Sequence, residues 1–372
     1  MNCNRIEKNI LSEFSQYNDQ AITELLMDSP EASVFHTPEF RRVVAETFND
    51  APAYWVYTYD GRIIAYFPSF VRKQAAGTVM NSMPVSGAYG GVCTLSPLDD
   101  QDKDKIVNLL MQDIIEHAEK NHWIAFTVIP PPHACMGSEY RKSIEPDFVY
   151  DRFTQITDLE PELNYKPSVR NHIKQAEKKG VQVETQITAQ NLKAFYDVYC
   201  ANMDCLNIRV KPISYFDNII KHLIPKGMAK FYLGYITEEK TNRLNHRKMI
   251  AGLLVLRFKE TVISHETVML REYKSLSGTS YLLDAALRDS KASGYKWFNW
   301  GASSSKDSGV YKFKKAWGPT DYNYSYFTKI IGKINRLKEI PLEQIKQDFK
   351  WHYVAPYQVF NSENAASMPP AN

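Results

Sequence analysis

The sequence predicts a mixed α/β protein of two lobes, each a mixed, mostly antiparallel sheet flanked by helices. Three observations carry that reading. The chain has 372 residues, more than one average domain holds. Its 23 Tyr, 18 Phe and 6 Trp suit strand-rich cores and apolar grooves better than a helical bundle. A similar order of helix and strand signals also runs through both halves of the chain. The predicted boundaries are 1–150 and 151–330, followed by a helical segment 331–361 and a disordered tail 362–372.

In the first lobe Ala21 to Met27 reads as a helix. Thr37 caps a second one that starts at Pro38 and runs to Phe48. Tyr54 to Tyr59 and Arg62 to Phe70 alternate like strands, and Asp60-Gly61 between them is a hairpin turn. After the Gly-rich stretch 86–92, Lys103 to Asn121 has helical periodicity and Trp123 to Ile129 reads as a short buried strand stopped by prolines. The second lobe opens with a helix from Pro167 to Lys179, with Ser168 as its cap and Gly180 as its stop. A helix over Gln190 to Cys205 follows. Strands come next at Lys230 to Tyr235, Met249 to Phe258 and Thr261 to Leu270, with a polar excursion between the first two. A helix over Ser280 to Ser293 then returns to a strand at Lys296 to Trp300, which makes one parallel crossover.

Composition excludes several classes. With 45 Lys plus Arg against 42 Asp plus Glu, the net charge is +3, too small for a nucleic-acid coat protein, and no DNA partner is expected. Met249 to Leu256 is an apolar run of only eight residues, so no membrane span is expected. The charged N-terminus does not read as a signal peptide. Five scattered cysteines (Cys3, Cys93, Cys135, Cys200, Cys205) form no disulfide framework, and a cytoplasmic location is expected. Neither Cys200 with Cys205 nor His133 with Cys135 completes a zinc set, so no metal is predicted.

Four stretches carry a resemblance. They are Ala88-Tyr-Gly-Gly91, Arg170-Asn-His-Ile-Lys-Gln-Ala-Glu-Lys-Lys-Gly180, Phe298-Asn-Trp-Gly301 and Gly309-Val-Tyr-Lys-Phe-Lys-Lys-Ala-Trp-Gly318. In this order they resemble the Fem-type (FemAB-like) branch of the GNAT acyltransferase superfamily, over roughly Phe35 to Phe327. That branch includes peptidoglycan-bridge aminoacyltransferases and acyltransferases of polysaccharide loci. The resemblance implies two GNAT-like lobes, the first degenerate and on the acceptor side, the second holding donor and chemistry.

In the Fem enzymes the Phe-Lys pair of the last motif is linked with catalysis, and Phe313 and Lys314 match it. A fixed ammonium stabilises a developing oxyanion more than a neutral carbonyl; the competing reading makes Lys312, Lys314 and Lys315 a solvated basic turn. Tyr311 either donates a proton or packs. Asn299 stands where the family carries Asp, and an amide cannot accept a proton at neutral pH. It is read, with Ser303, as positioning substrate or the following turn. On the strand Thr261 to Leu270, alternation sends His265 and Glu266 to opposite faces, with Glu266 the preferred general base.

The loop Ser277, Gly278, Thr279 and Ser280 precedes a helix and matches the position of a GNAT pyrophosphate loop, or is a plain helix cap. Arg170, Lys174 and Lys178 share a helix face that either holds a phosphate-bearing ligand or faces water. Tyr89 is either a substrate-contacting wall or part of a hairpin with two φ > 0 glycines. With these residues the resemblance implies an N-acyltransferase moving an acyl group, acetyl from acetyl-CoA, to an amine of a cell-envelope or surface-polysaccharide precursor, with a lipid- or nucleotide-linked glycan as acceptor. Acyl-CoA is a co-substrate here, and no cofactor is permanently bound. Two alternatives remain: a Fem-like enzyme using aminoacyl-tRNA on a peptidoglycan precursor, and a non-catalytic binding protein of the same fold. The short span between Cys205 and Phe231 has no room for a coiled-coil arm, which favours CoA.

Overall fold

A computed structural model of the chain describes residues 5–11, 16–85, 87–238 and 246–360. The expected tail 362–372, the polar excursion at 239–245, Ser86 and Cys3 lie outside the described residues. The chain forms two compact units, Met1–Phe153 with Tyr322–Asn372, and Thr154–Asp321. The fold is mixed α/β, with helices flanking sheets in both units. No helix among the described residues is long and apolar enough to cross a membrane.

In the first unit, Tyr54–Tyr59 and Arg62–Phe67 form the expected hairpin. Its turn residues Asp60 and Gly61 both adopt positive φ, 52° and 77°, as a twist-matched two-residue turn requires. Ile6–Leu11, not foreseen from the sequence, pairs antiparallel with Tyr54–Tyr59. Only Ile6 of this strand is buried, so its Glu7-Lys-Asn9 interior carries no clear two-residue signal. A second set of strands brings Gly77–Asn81 and Ala125–Val128 side by side in parallel. The helix Asp100–Lys120 connects them, capped by the Asp99 carboxylate on the Asp102 amide at 2.7 Å. It buries Ile106, Leu110, Met111 and Ile114 in one core with Met80, Phe126 and Val128. Each unit thus has its own parallel crossover, where one was expected. Thr37 caps the helix Pro38–Phe48 as expected. The short helices Asn335–Lys338 and Leu342–Asp348 put Leu337 and Ile345 into a core with Val79, Ile124 and Ala125.

In the second unit the strands run in the order Gln182–Glu184, Ala229–Glu238, His246–Phe258, Thr261–Met269, Trp297–Ala302, with residues 154–158 of the strand Phe148–Asp158 at the far side. All pairs are antiparallel except Thr261–Met269 with Trp297–Ala302, which the helix Gly278–Ala292 connects. Leu282, Leu283, Ala286 and Leu287 of that helix pack on Ile250, Leu253 and Val262. The helix Pro167–Lys178 is not capped by Ser168. Pro167 occupies its first position, so the cap falls on Lys166, which makes no side-chain capping bond. Gly180, at φ +74°, follows its end as expected.

Candidate functional site

The two parallel strands of the second unit pair over only three residues, Thr261 with Trp297, Val262 with Phe298 and Ile263 with Asn299. The paired register ends at Ile263 and Asn299; Lys314 bonds to the residues just past Asn299, and Glu266 lies three residues past Ile263. Phe298 and Trp300 point into the core, and the Trp300 indole donates to Thr157 Oγ1 at 2.8 Å. Asn299 is buried. Its Oδ1 accepts from Thr154 Oγ1 at 2.6 Å and from the Gly301 amide at 2.8 Å. Its amide oxygen therefore fixes the bend at Gly301, whose φ of +72° favours glycine.

The matching motif folds back onto this bend. Ser308 caps the helix Gly309–Lys315, its Oγ accepting from the Tyr311 amide at 3.1 Å. Phe313 leans edge-on against Trp317, which is buried with Trp300 and Tyr165. Lys312 is exposed, whereas Lys314 turns inward and donates to the carbonyls of Gly301 and Ala302 at 3.0 and 2.9 Å. The basic run is thus split between solvent and the strand end. Tyr311 donates to Asp321 at 3.0 Å, and Lys306 and Lys315 meet the same carboxylate at 3.0 and 3.5 Å. Partial burial works to raise the Asp321 carboxyl, but Lys306, Tyr311 and Lys315 together hold it below its ordinary value. Ser303, one residue past the Lys314 anchor, has a buried hydroxyl without a partner.

On the other strand the structure corrects one expectation. His265 and Glu266 do not lie on opposite faces: Leu254 pairs with Glu266 and Val255 with Ser264, so His265 is the extra residue of a bulge. Both side chains enter one buried cluster. Glu266 accepts from Lys211 Nζ at 2.6 Å, and His265 Nε2 lies 3.9 Å from the same carboxylate oxygen. Tyr215 OH meets His265 Nε2 at 2.6 Å, and Tyr199 OH accepts from the Lys211 amide at 3.1 Å. Burial drives the His265 imidazole down to about 4, against the opposing pull of Glu266. Burial likewise raises the Tyr215 hydroxyl well above its ordinary value. Lys211 and Tyr215 were not foreseen. They sit on and after a loop between two helices, and nothing in local spacing marks a lysine that will be buried.

The loop 277–280 starts the helix Gly278–Ala292. Ser277 takes φ +58°, its amide donates to Lys274 O, and its hydroxyl to Gln175 Oε1 at 3.2 Å. Gly278 is buried, and a Cβ there would stand 3.2 Å from Ile250 Cδ1. Ser280 is buried, and the Thr279 hydroxyl is buried without a partner. Arg170 and Lys174 are exposed; Arg170 donates to Tyr165 O at 2.8 Å. Tyr89 belongs to the first unit, buried between Phe35 and Tyr324. The stretch around it is not a hairpin with two φ > 0 glycines: Gly91 has φ +138° but Gly90 does not. Gly90 is required by space, since a Cβ there would fall 2.7 Å from the Ser82 backbone. No group of His, Cys, Asp and Glu suited to a metal occurs among the described residues.

The second unit's sheet has one parallel crossover and an inward lysine at a strand end, and the family match together with the structural likenesses below supports an acyltransferase related to the GNAT fold. Residues 113–248 and 235–335 match the FemAB family, more than half of the chain. The chain belongs to the FemAB family. No curated protein sequence matches it significantly. Among solved structures, FemX is similar at 14% identity and a TM-score of 0.65, over 86% of this chain and 97% of that one. A tandem GNAT protein from the clavulanic acid biosynthesis pathway matches at 13% identity and a TM-score of 0.56, over 88% and 99%. The C-terminal domain of a putative lysylphosphatidylglycerol synthetase from Agrobacterium fabrum matches at 14% and 0.52, over 85% and 92%. These likenesses show the fold.

Proposed function

We propose that the protein transfers an aminoacyl group from an aminoacyl-tRNA ester to an amine of a peptidoglycan-type precursor. Family membership and the likeness to FemX support this choice of donor and acceptor over acetyl-CoA and a polysaccharide amine. The observation that carries it is the Lys314 ammonium, held on the Gly301 and Ala302 carbonyls at the end of the strand Trp297–Ala302, inside the matched region.

In this reading the acceptor amine attacks the ester carbonyl, and a C–N bond forms as the carbonyl π pair moves onto oxygen. Lys314, anchored by neutral carbonyls, stabilises that oxyanion. Phe313 keeps the helix seated against Trp317, so the ammonium stays in place. Glu266, steadied by Lys211, accepts the amine proton. The tetrahedral species then collapses, the C–O bond breaks, and the ribose oxygen leaves as a hydroxyl with the proton that Glu266 took up, which returns Glu266 to its carboxylate. Ser303 supplies a hydroxyl to the bound substrate, Asn299 holds the bend, and Tyr311 holds the motif helix through Asp321. Arg170 and Lys174 offer charge to the tRNA backbone or to acceptor phosphates.

A second reading keeps the chemistry and takes an acyl-CoA thioester as donor. The buried, unpartnered Thr279 hydroxyl at the first turn of the helix Gly278–Ala292 favours it. The test is a transfer assay offering labelled aminoacyl-tRNA and acetyl-CoA separately, with lipid- and nucleotide-linked muropeptides as acceptors. The expected result is an aminoacylated acceptor, with turnover falling on the order of 10²–10³-fold in Lys314→Met. Acetylation alone would select the CoA donor. Transfer from neither donor would leave a binding protein and overturn the proposal.

A further inference from the structure

In the first unit, Arg152 on the strand Phe148–Asp158 is half-buried and pairs with no carboxylate among the described residues. Tyrosines surround it instead. Its Nη1 donates to Tyr150 OH at 3.1 Å, and its guanidinium carbon lies 5.5 Å from that ring's centre. Tyr324 and Tyr326 follow on the strand Thr320–Ile330, with ring centres 6.1 Å apart and Tyr326 edge-on to Tyr150 at 5.9 Å, and the Tyr324 hydroxyl lies beside the same guanidinium. Tyr353 closes the ring, stacked on Tyr150 with centres 6.1 Å apart and edge-on to Tyr326 at 5.2 Å. The backbone of Tyr353 is fixed by Asn81, whose Oδ1 accepts from its amide at 2.7 Å and whose Nδ2 donates to its carbonyl at 2.8 Å.

Two polar atoms in this ring have no partner among the described residues: Arg152 Nε and the Tyr353 hydroxyl, both buried. Such atoms are rare in folded proteins. If the cluster served packing alone, an apolar side chain would fill it without desolvating a charge. A guanidinium is always charged and presents a planar donor fork that matches carboxylate and phosphate, while the tyrosine faces suit a flat or apolar ring. We propose that Arg152, assisted by Tyr353, binds an oxyanion, a carboxylate or a phosphate, borne on a small ring-bearing ligand. Its residues belong to the first unit, whereas Lys314 and Glu266 belong to the second, and the proposal does not depend on the acyl-transfer reading.

The test is calorimetric titration of the full chain with phenyl phosphate, with benzoate, and with benzyl alcohol as the neutral counterpart. At least one anion should bind, with benzyl alcohol at least about tenfold weaker. Arg152→Met should weaken the anion about tenfold or more, and Tyr353→Phe several-fold, while Arg62→Met, which removes an exposed cation of the same unit, should change nothing. Binding of phenyl phosphate alone assigns a phosphate, and of benzoate alone a carboxylate. If Arg152→Met does not fold, Arg152→Lys keeps the charge, loses the fork and should still weaken binding. Failure of both anions to bind, or equal binding by wild type and the Arg152 variants, overturns the proposal.

Discussion

Mild acid should unfold this protein through its buried histidines, and the size of the effect follows from where they sit. His36 and His352 in the first unit are fully enclosed, and burial pushes both down to about 3. His265 in the second unit is pushed down to about 4. In the unfolded chain each titrates near 6.5. Below that pH the unfolded state binds more protons than the folded one, so stability falls as pH drops from about 6.5 toward the folded values. At pH 4.5, two units below 6.5, each histidine costs about 2.6 kcal/mol, at 1.36 kcal/mol per unit. The first unit then loses about 5 kcal/mol and the second about half of that, against a typical total of 5–15. Glu31, Asp289 and Asp321, held below their ordinary values, weaken only at lower pH; burial also lowers His117, which adds to the loss, while the raised Asp50 carboxyl works against it in the first unit. Urea unfolding followed by circular dichroism at pH 7.0, 5.5 and 4.5 measures the effect. His265→Gln, which keeps a hydrogen-bonding group near Tyr215, should remove about 2.6 kcal/mol of the pH dependence. A variant with the same pH dependence as wild type would refute the reasoning.

Three further outcomes are expected. Lys211→Met strands the Glu266 carboxylate in its buried cluster and should cost about 3–5 kcal/mol by chemical denaturation, whereas adding Glu266→Leu should recover much of the loss. Gly90→Ala drives a methyl to within 2.7 Å of the Ser82 backbone and should destabilise by at least about 1–3 kcal/mol; Gly87→Ala, with open space but φ +84°, should cost about 1 kcal/mol, both read as shifts in melting temperature. Asn299→Leu removes the acceptor for Thr154 and the Gly301 amide and should cost about 1–3 kcal/mol, while Asn299→Asp keeps both bonds and should lose less.

Local rules made much of the fold legible. Asp60-Gly61 demanded a turn with two positive φ angles, Thr37-Pro38 a helix start, and the apolar spacing over Lys103 to Asn121 a helix that buries Ile106, Leu110 and Ile114. Errors arose where two local rules competed or where alternation gave no contrast. Ser168 is a good capping residue, but Pro167 before it already has the helical φ, which moves the start back by one. Ile6–Leu11 alternates too little to be read as a strand because it shows almost all of its length to solvent.

The candidate site was legible only as far as it is linear in sequence. The Gly309 to Gly318 motif put Phe313 and Lys314 on the page, and the strand end put Asn299 beside them. The cluster around Glu266 depends on a single inserted residue. Without the bulge, strict alternation would carry His265 away from Glu266, and Tyr215 would meet a different side chain. With it, two neighbours in sequence share one buried environment, and Lys211, 55 positions away, can neutralise the carboxylate there. A bulge leaves no mark in residue types, and a buried lysine is chosen by its distant partner rather than by its neighbours. The bulge therefore decides whether Glu266 has an imidazole beside it, and restoring regular alternation by deleting His265 should separate Tyr215 from any ring nitrogen while leaving the Lys314 anchor on the other strand intact.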